Sequence, residues 1–144
     1  MDDKNEQQEP KHVTVTLTGR PPVRIDKNQW GVVARASDED YDNQYRFQAN
    51  RTSDYWIVVR ERDGKYLVYA GYTYATQFQG ESNRSERAGE LLEPGASMAD
   101  VVSAIQRVAK TMQAQVGAED EPAVADTFAR LGRECIADLP AEHL

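Results

Sequence analysis

Arginine and aromatic side chains interleave through the middle of this chain, and they are the residues whose types could most readily do chemistry at a surface. Arg20, Arg24, Arg46, Arg51, Arg60, Arg62 and Lys65 stand on or beside segments rich in Tyr, Trp and Phe. Single-strand nucleic-acid platforms are made from that combination, cations for the phosphates and ring faces for the bases. The stretch DYWIVVRERDGKYLVYAGYTYATQ, residues 54 to 77, holds one Trp and five of the seven Tyr. No aromatic-rich RNP1-type motif accompanies the arginines, and nearby acids offset most of their charge, which favours scattered surface arginine over a phosphate-binding stripe.

Covalent and metal chemistry find less to work with. His12 and His143 have no neighbours at metal-ligand spacing, and one cysteine cannot make the Cys and His cluster that structural zinc needs. Cys135 falls on an apolar stripe, which predicts a buried, inert thiol rather than a nucleophile. Neither G-x-G-x-x-G nor G-x-x-x-x-G-K-[ST] occurs, so nucleotide chemistry lacks its usual cradle. Asp38, Asp40 and Asp42 have the alternate spacing that opens a calcium loop, but its glycine and closing Glu are missing, so they read as a solvated connector. A catalytic acid pair could be drawn from Asp54, Glu61 and Asp63, although nothing in the sequence places two of them across a substrate. The expectation is a non-enzymatic chain without catalytic, metal-binding or cofactor-binding residues.

The totals set the frame for positioning these groups. At 144 residues, with 40% hydrophobic and 28% charged content, the chain is long enough for one folded domain with its own core. A single cysteine excludes an intrachain disulfide and fits a reducing compartment. The opening MDDKNEQQEP is acidic and polar, and no apolar run approaches the ~20 residues that cross a bilayer. A cytoplasmic protein without a membrane segment is expected, with residues 1–11 as a disordered tail and 12–144 as the domain. Net charge is -7, concentrated at the C-terminal end: residues 20 to 87 hold ten acids and eleven bases, residues 88 to 144 ten acids and four bases.

Local patterning predicts an α+β fold. VTVTL from Val13 alternates as a half-buried strand does, GRPP turns the chain, and VRI at 23–25 returns as a short edge strand. DKNQWGVVARAS then carries Asp26 and Gln29 in a capping-box pattern, with Trp30 and Val33 at helical spacing, and predicts a short helix over 26–37. SDEDYDN reads as a connector, QYRFQAN at 44–50 and YWIVVRE at 55–61 as strands, and a further strand runs to about residue 76 after Asp63-Gly64. Residues 77–96 read as a surface loop, with ELL at 90–92 touching the core. Ser97 and Asp100 form a capping box before the stripe Val101, Val102, Ile105, Val108, Ala109, Met112; Val124, Phe128, Leu131, Cys135 and Leu139 make a second stripe after Pro122. The sum is a largely antiparallel sheet of about five strands, two C-terminal helices on one face and the short helix near the other.

With Asp63 and Gly64 as a two-residue turn, Arg62 pairs with Lys65 and the hairpin side chains sort into two faces. Tyr55, Ile57, Val59, Val68 and Tyr72 form the face assigned to the helices. Trp56, set opposite Gly71, and Val58, Arg60, Leu67 and Tyr69 form the other. That second face is too apolar for open solvent, so it needs either a cover from the same chain, from 26–37 or 77–96, or a partner. Trp56, Arg60, Leu67, Tyr69, Arg46 and Arg62 are the partner-binding candidates, being of types enriched at hot spots. Glu119, Asp120 and Glu121 are an acidic-surface candidate that could mimic phosphate spacing or dock a basic partner, although carboxylates before a helix also serve its dipole.

In VTLTGRPPVRIDKNQW, DNQYRFQANRT and RAGELL the chain resembles a group of small proteins carried on bacterial plasmids and integrated mobile elements, over most of residues 12 to 139. The resemblance brings no catalytic or ligand motif and implies a genetic setting: countering host defence, element maintenance, or service to a larger complex. The expected function is a protein-interaction module that inhibits or modulates a host nucleic-acid or defence complex. The alternative is an accessory protein that binds RNA or single-stranded DNA through the Arg and aromatic sheet face.

Overall fold

The computed structural model describes residues 11–41, 49–77, 80, 82–117 and 122–141. Among these residues it is an α+β arrangement of two antiparallel sheets and two helices. The alternating segment after Lys11 forms β1 (His12–Val15), which pairs with β2 (Val23–Asp26) in the register Val13 with Ile25 and Val15 with Val23. Four longer strands, β3 (Trp30–Tyr41), β4 (Ala49–Arg60), β5 (Tyr66–Thr76) and β6 (Arg84–Leu91), make the main sheet in sequence order. Helices α1 (Met98–Gly117) and α2 (Pro122–Ala137) complete the chain.

Both helices lie on one face of the main sheet, where their stripes meet the apolar side of β4 and β5. Tyr55, Ile57, Val68, Ala70 and Tyr72 from the sheet close with Val101, Ile105, Val108, Met112, Phe128, Leu131 and Cys135 into one core. The Tyr55 hydroxyl donates to the Ile105 carbonyl oxygen, so the buried phenol is satisfied and ties β4 to α1. Its ionisation is pushed far up by burial. The start of α1 is held as its residue types dictate: the Ser97 N–H donates to Asp100 Oδ2 at 3.0 Å and the Asp100 N–H donates to Ser97 Oγ at 3.2 Å. Val124 is outside the residues whose side chains are described, while the stripe from Phe128 to Cys135 is buried.

The β1–β2 hairpin packs on the opposite face, over a second cluster of Val15, Leu17, Ile25, Val58 and Leu67. The expected short helix over 26–37 is absent. Its capping residue works locally instead: Asp26 Oδ1 accepts from the Asn28 N–H at 2.9 Å and the Asp26 carbonyl from the Gln29 N–H at 2.9 Å, closing a turn that launches β3. A bulge between Val32 and Ala34 breaks the period of two, so Val33 and Ala36, three apart, both pack on the helix-side core as they would on a helix. Trp30 packs on the hairpin cluster and Val33 on the helix-side core, so this i, i+3 pair faces opposite sides.

Two other expectations change. Asp38 to Tyr41, read as connector, extends β3, and the expected loop 77–96 contains β6, giving six strands among the described residues in place of about five. Leu91 joins the hairpin cluster and Leu92 the helix-side core. Of the proposed strand 44–50, residues 42–48 with Tyr45 and Phe47 lie outside the described residues; β4 begins at Ala49.

The β4–β5 turn spans four residues, not two. The Arg60 N–H donates to the Lys65 carbonyl at 2.8 Å and the Gly64 N–H to the Arg60 carbonyl at 2.8 Å. Gly64 takes the positive φ of 71°. Asp63 folds back, accepting from the Arg60 guanidinium at 3.1 and 2.7 Å and from the Lys65 N–H at 3.2 Å. The register therefore moves by two residues: Tyr55 pairs with Ala70, and Trp56 with Tyr69 instead of Gly71. A shift of two preserves the faces, because side chains alternate with that period.

Candidate functional site

Aligned registers across four antiparallel strands set side chains of one face in rows. On the face away from the helices, the first row to cross all four strands after the β4–β5 turn is Val32, Val58, Leu67 and Leu91. The β1–β2 hairpin covers its middle: Leu67 is fully buried, whereas Val32 at the edge is 58% exposed. The next rows are Arg35, Trp56, Tyr69 and Gly89, then Ser37, Asp54, Gly71 and Arg87. The cover ends here.

Trp56 and Tyr69 stack with ring centroids 6.2 Å apart and 9° between planes. The Arg35 guanidinium lies over the Trp56 ring, 5.2 Å from its centroid. Arg35 comes from β3 and Tyr69 from β5, on either side of β4, so the indole has neighbours from both adjoining strands. Beyond Tyr69, Gly89 makes room for the chain leaving β1: a Cβ there would stand 2.9 Å from the Thr16 carbonyl oxygen and 3.1 Å from Tyr69 Cβ. The Thr18 N–H donates to the Gly89 carbonyl at 2.8 Å, and the Gly89 N–H to Thr18 Oγ1 at 3.3 Å.

In the third row Gly71 leaves a seat for Arg87, since a Cβ would fall 2.8 Å from its Nη1. The seated guanidinium donates to the Tyr72 and Glu86 carbonyls, each at 2.9 Å, and to Thr73 Oγ1 at 3.3 Å. These bonds fix its position, and no carboxylate among the described residues contacts it directly. Asp54 is half-buried beside it. Burial raises the Asp54 carboxyl above its ordinary range, against the opposing pull of Arg87 and the Gly71 backbone. The Tyr69 phenol is pushed up to about 12, by burial first and by the Asp54 charge second.

These rows form the floor of a cleft of about 670 Å3 whose wall is the β1–β2 hairpin, with Val13, Val15, Ile25 and Trp30 on the apolar side. Its charged lining is Lys27, Arg35 and Arg87 against Asp54, three cations and one acid in a chain of net charge -7. The cleft is an amphipathic, locally basic surface.

Of the expected partner-binding residues, Trp56 and Tyr69 come together here. Leu67 does not belong: it is sealed under the hairpin. Arg60 lies over Trp30, 5.4 Å from the ring centroid, and holds Asp63 in a bidentate pair, while Arg62 is exposed in the turn. Arg46, Glu119, Asp120 and Glu121 lie outside the described residues. The central arginines are divided: Arg51 lies over Tyr74, on the helix side, and Arg20 and Arg24 sit on the first hairpin.

The acids are separated too. Asp54 and Arg60 are six residues apart along β4, roughly 20 Å at ~3.3 Å per residue. Asp63, beside Arg60, is lowered to about 2 chiefly by hydrogen bonds from its guanidinium. Asp38 is ion-paired with Arg130 of α2 at 2.8 Å. Cys135 is buried and its thiol is pushed up to about 12 by burial, then by Asp138 and Glu134. Among the described residues, no three His, Cys, Asp or Glu side chains gather as metal ligands, and no helix is long and apolar enough to cross a membrane.

Arg35 and Arg87 are the residues that sequence reasoning did not bring to this site. Arg35 fell inside the expected helix and Arg87 inside the expected loop. The alternation of Ala34 and Ala36 with Arg35, Ser37 and Glu39 was the available signal for a two-faced strand. Compared with protein-family models, curated proteins and solved structures, the chain matches none.

Proposed function

We propose that this chain is a non-enzymatic protein-interaction module and that the cleft beside the β1–β2 hairpin receives its partner. In the genetic setting its sequence resemblance implies, it modulates a host nucleic-acid or defence complex. The observation that carries the reading is the half-covered outer face: the hairpin buries Val58 and Leu67 but leaves the Arg35, Trp56, Tyr69 and Arg87 rows lining an accessible cleft. Rigid aromatic anchors, seated arginines and an apolar wall are the ingredients of a hot spot. The excess of cations selects a segment bearing acidic side chains beside apolar ones.

The same geometry weighs against the nucleic-acid alternative. A base-stacking platform needs open ring faces, and Trp56 already has Arg35 and Tyr69 of its own chain as ring neighbours. The arginines that would follow a phosphate backbone are divided between the two faces of the sheet. The test is affinity capture from nuclease-treated host lysate with the wild-type chain and with Trp56→Ala/Arg87→Ala. A protein retained by the first, lost from the second and weakened by salt supports the reading. Retention that ends with nuclease treatment, or is equal for both chains, overturns it.

A further inference from the structure

The outer side of β3 is a sheet edge, since no described strand pairs with it. Its backbone polarity follows from the neighbouring turn. The Arg60 N–H bonds the Lys65 carbonyl and the Glu61 N–H bonds the Gln29 carbonyl, so even residues of β4 serve β5 and odd ones serve β3. Through the pairs Ala34 with Ile57, Ala36 with Tyr55 and Asp38 with Ser53, the even residues of β3 turn their backbone toward β4. Arg35, Ser37 and Glu39 turn theirs outward, and their side chains are exposed. α2 packs on the helix-side face of the strand, where Arg130 bonds Asp38.

Exposed edges of this length invite pairing unless they are blunted. The bulge at Val32 to Ala34 blunts the first part of β3. The remainder is charged in an asymmetric way: Arg35 and Glu39 are equidistant from Ser37. Two copies related by a two-fold axis through Ser37 pair antiparallel, and Arg35 of each then stands opposite Glu39 of the other. Neighbouring registers lose this match. Centring on Arg35 or on Glu39 sets like charges together, centring on Asp38 opposes two carboxylates on the other face, and centring on Ala36 leaves Arg35 opposite Ser37.

We infer that β3 is a homodimerisation edge, joining two copies antiparallel about Ser37 with reciprocal Arg35 and Glu39 pairs. The interface is isologous, as closed two-fold dimers require, and continues the four-stranded sheets of the two copies into one of eight strands. Arg35 belongs to both surfaces, since its guanidinium also lies over Trp56 in the cleft, so Glu39→Arg and Ser37→Pro test the edge apart from the cleft.

The test is sedimentation equilibrium on the full chain, its Arg35→Glu and Glu39→Arg variants, and an equimolar mixture of the two. The wild type is expected to sediment at twice the chain mass at about 100 µM, and each single variant to dissociate about tenfold or more readily. The mixture should recover the dimer, because every cross-strand pair in the mixed species is again of opposite charge. Ser37→Pro, which deletes an N–H that β4 does not use, should give a folded monomer by circular dichroism and serves if Arg35→Glu does not fold. A monomeric wild type at about 200 µM, a dimer indifferent to Glu39→Arg and Ser37→Pro, or a mixture of folded variants that stays monomeric would overturn the inference.

Discussion

The two faces of the main sheet meet very different neighbours, though they are built from the same strands. On one, Tyr55, Ile57, Val68 and Tyr72 are closed by two long amphipathic helices, and even the Tyr55 hydroxyl is answered within the chain. On the other, a hairpin of two four-residue strands covers one row and reaches only Tyr69 and Gly89 of the next. Coverage follows the length of the covering element. What the hairpin leaves is neither a core nor an ordinary wet face, because Trp56 and Tyr69 stand among arginines that are held in place by stacking and by seats left open at glycine. The first face carries stability; the second is the one for which we propose a partner.

This contrast can be broken most sharply at its closed side. Phe128→Ala should cost about 3–5 kcal/mol in chemical denaturation, because the ring is fully buried between helix and sheet. A cost near 1 kcal/mol would mean that the helices are loosely docked. Gly89→Ala comes next: its Cβ meets the Thr16 carbonyl at 2.9 Å and the Val68 carbonyl at 3.1 Å, backbone atoms that cannot rotate away. The expected loss is about 1–3 kcal/mol. Hydrogen exchange should localise it to residues 12–26 and leave α1 protected; equal loss in α1 would show that the two faces are not separable.

Trp56→Ala should cost less, about 1–2 kcal/mol, since it removes one aromatic stack and one cation–π contact at a half-exposed position. Its main consequence should be loss of the captured partner. A thermal midpoint falling as far as that of Phe128→Ala would make Trp56 a core residue. The smallest effect concerns Asp54. Its folded carboxyl holds a proton more tightly than the unfolded one, so the folded state is favoured at low pH and loses stability as pH rises from about 4 through the raised value. Asp54→Asn lacks that loss, so its thermal midpoint should gain on the wild type between pH 4 and pH 7. A difference that is constant with pH would contradict the burial argument.

Much of the closed face was legible in the sequence. Ser97 with Asp100, the stripes of α1 and α2, and the alternation of β4 and β5 each rest on local rules, and the Asp63-Gly64 turn assigned the faces even though its length was misjudged. The open face was harder because its logic is non-local. The bulge in β3 disguised a strand as a helix. β6 carries many polar residues and one glycine, where Gly89 admits another segment of chain and Arg87 reaches back over Gly71, demands that no propensity scale contains. Asp63 could not be read as a partner of Arg60, with which it pairs across the four-residue turn. Arg35 and Arg87 were thus hidden with the strands that carry them.

The contrast between a sealed and a half-open face is tested most directly by hydroxyl-radical footprinting of the free chain, read residue by residue. Trp56 and Tyr69 should be oxidised readily, while Tyr55 and Tyr72, at 0% and 1% exposure, stay unreacted until the chain is unfolded. Trp56 and Tyr69 as unreactive as Tyr55 and Tyr72 would mean that the chain covers its own outer face, and the cleft would lose its claim to a partner.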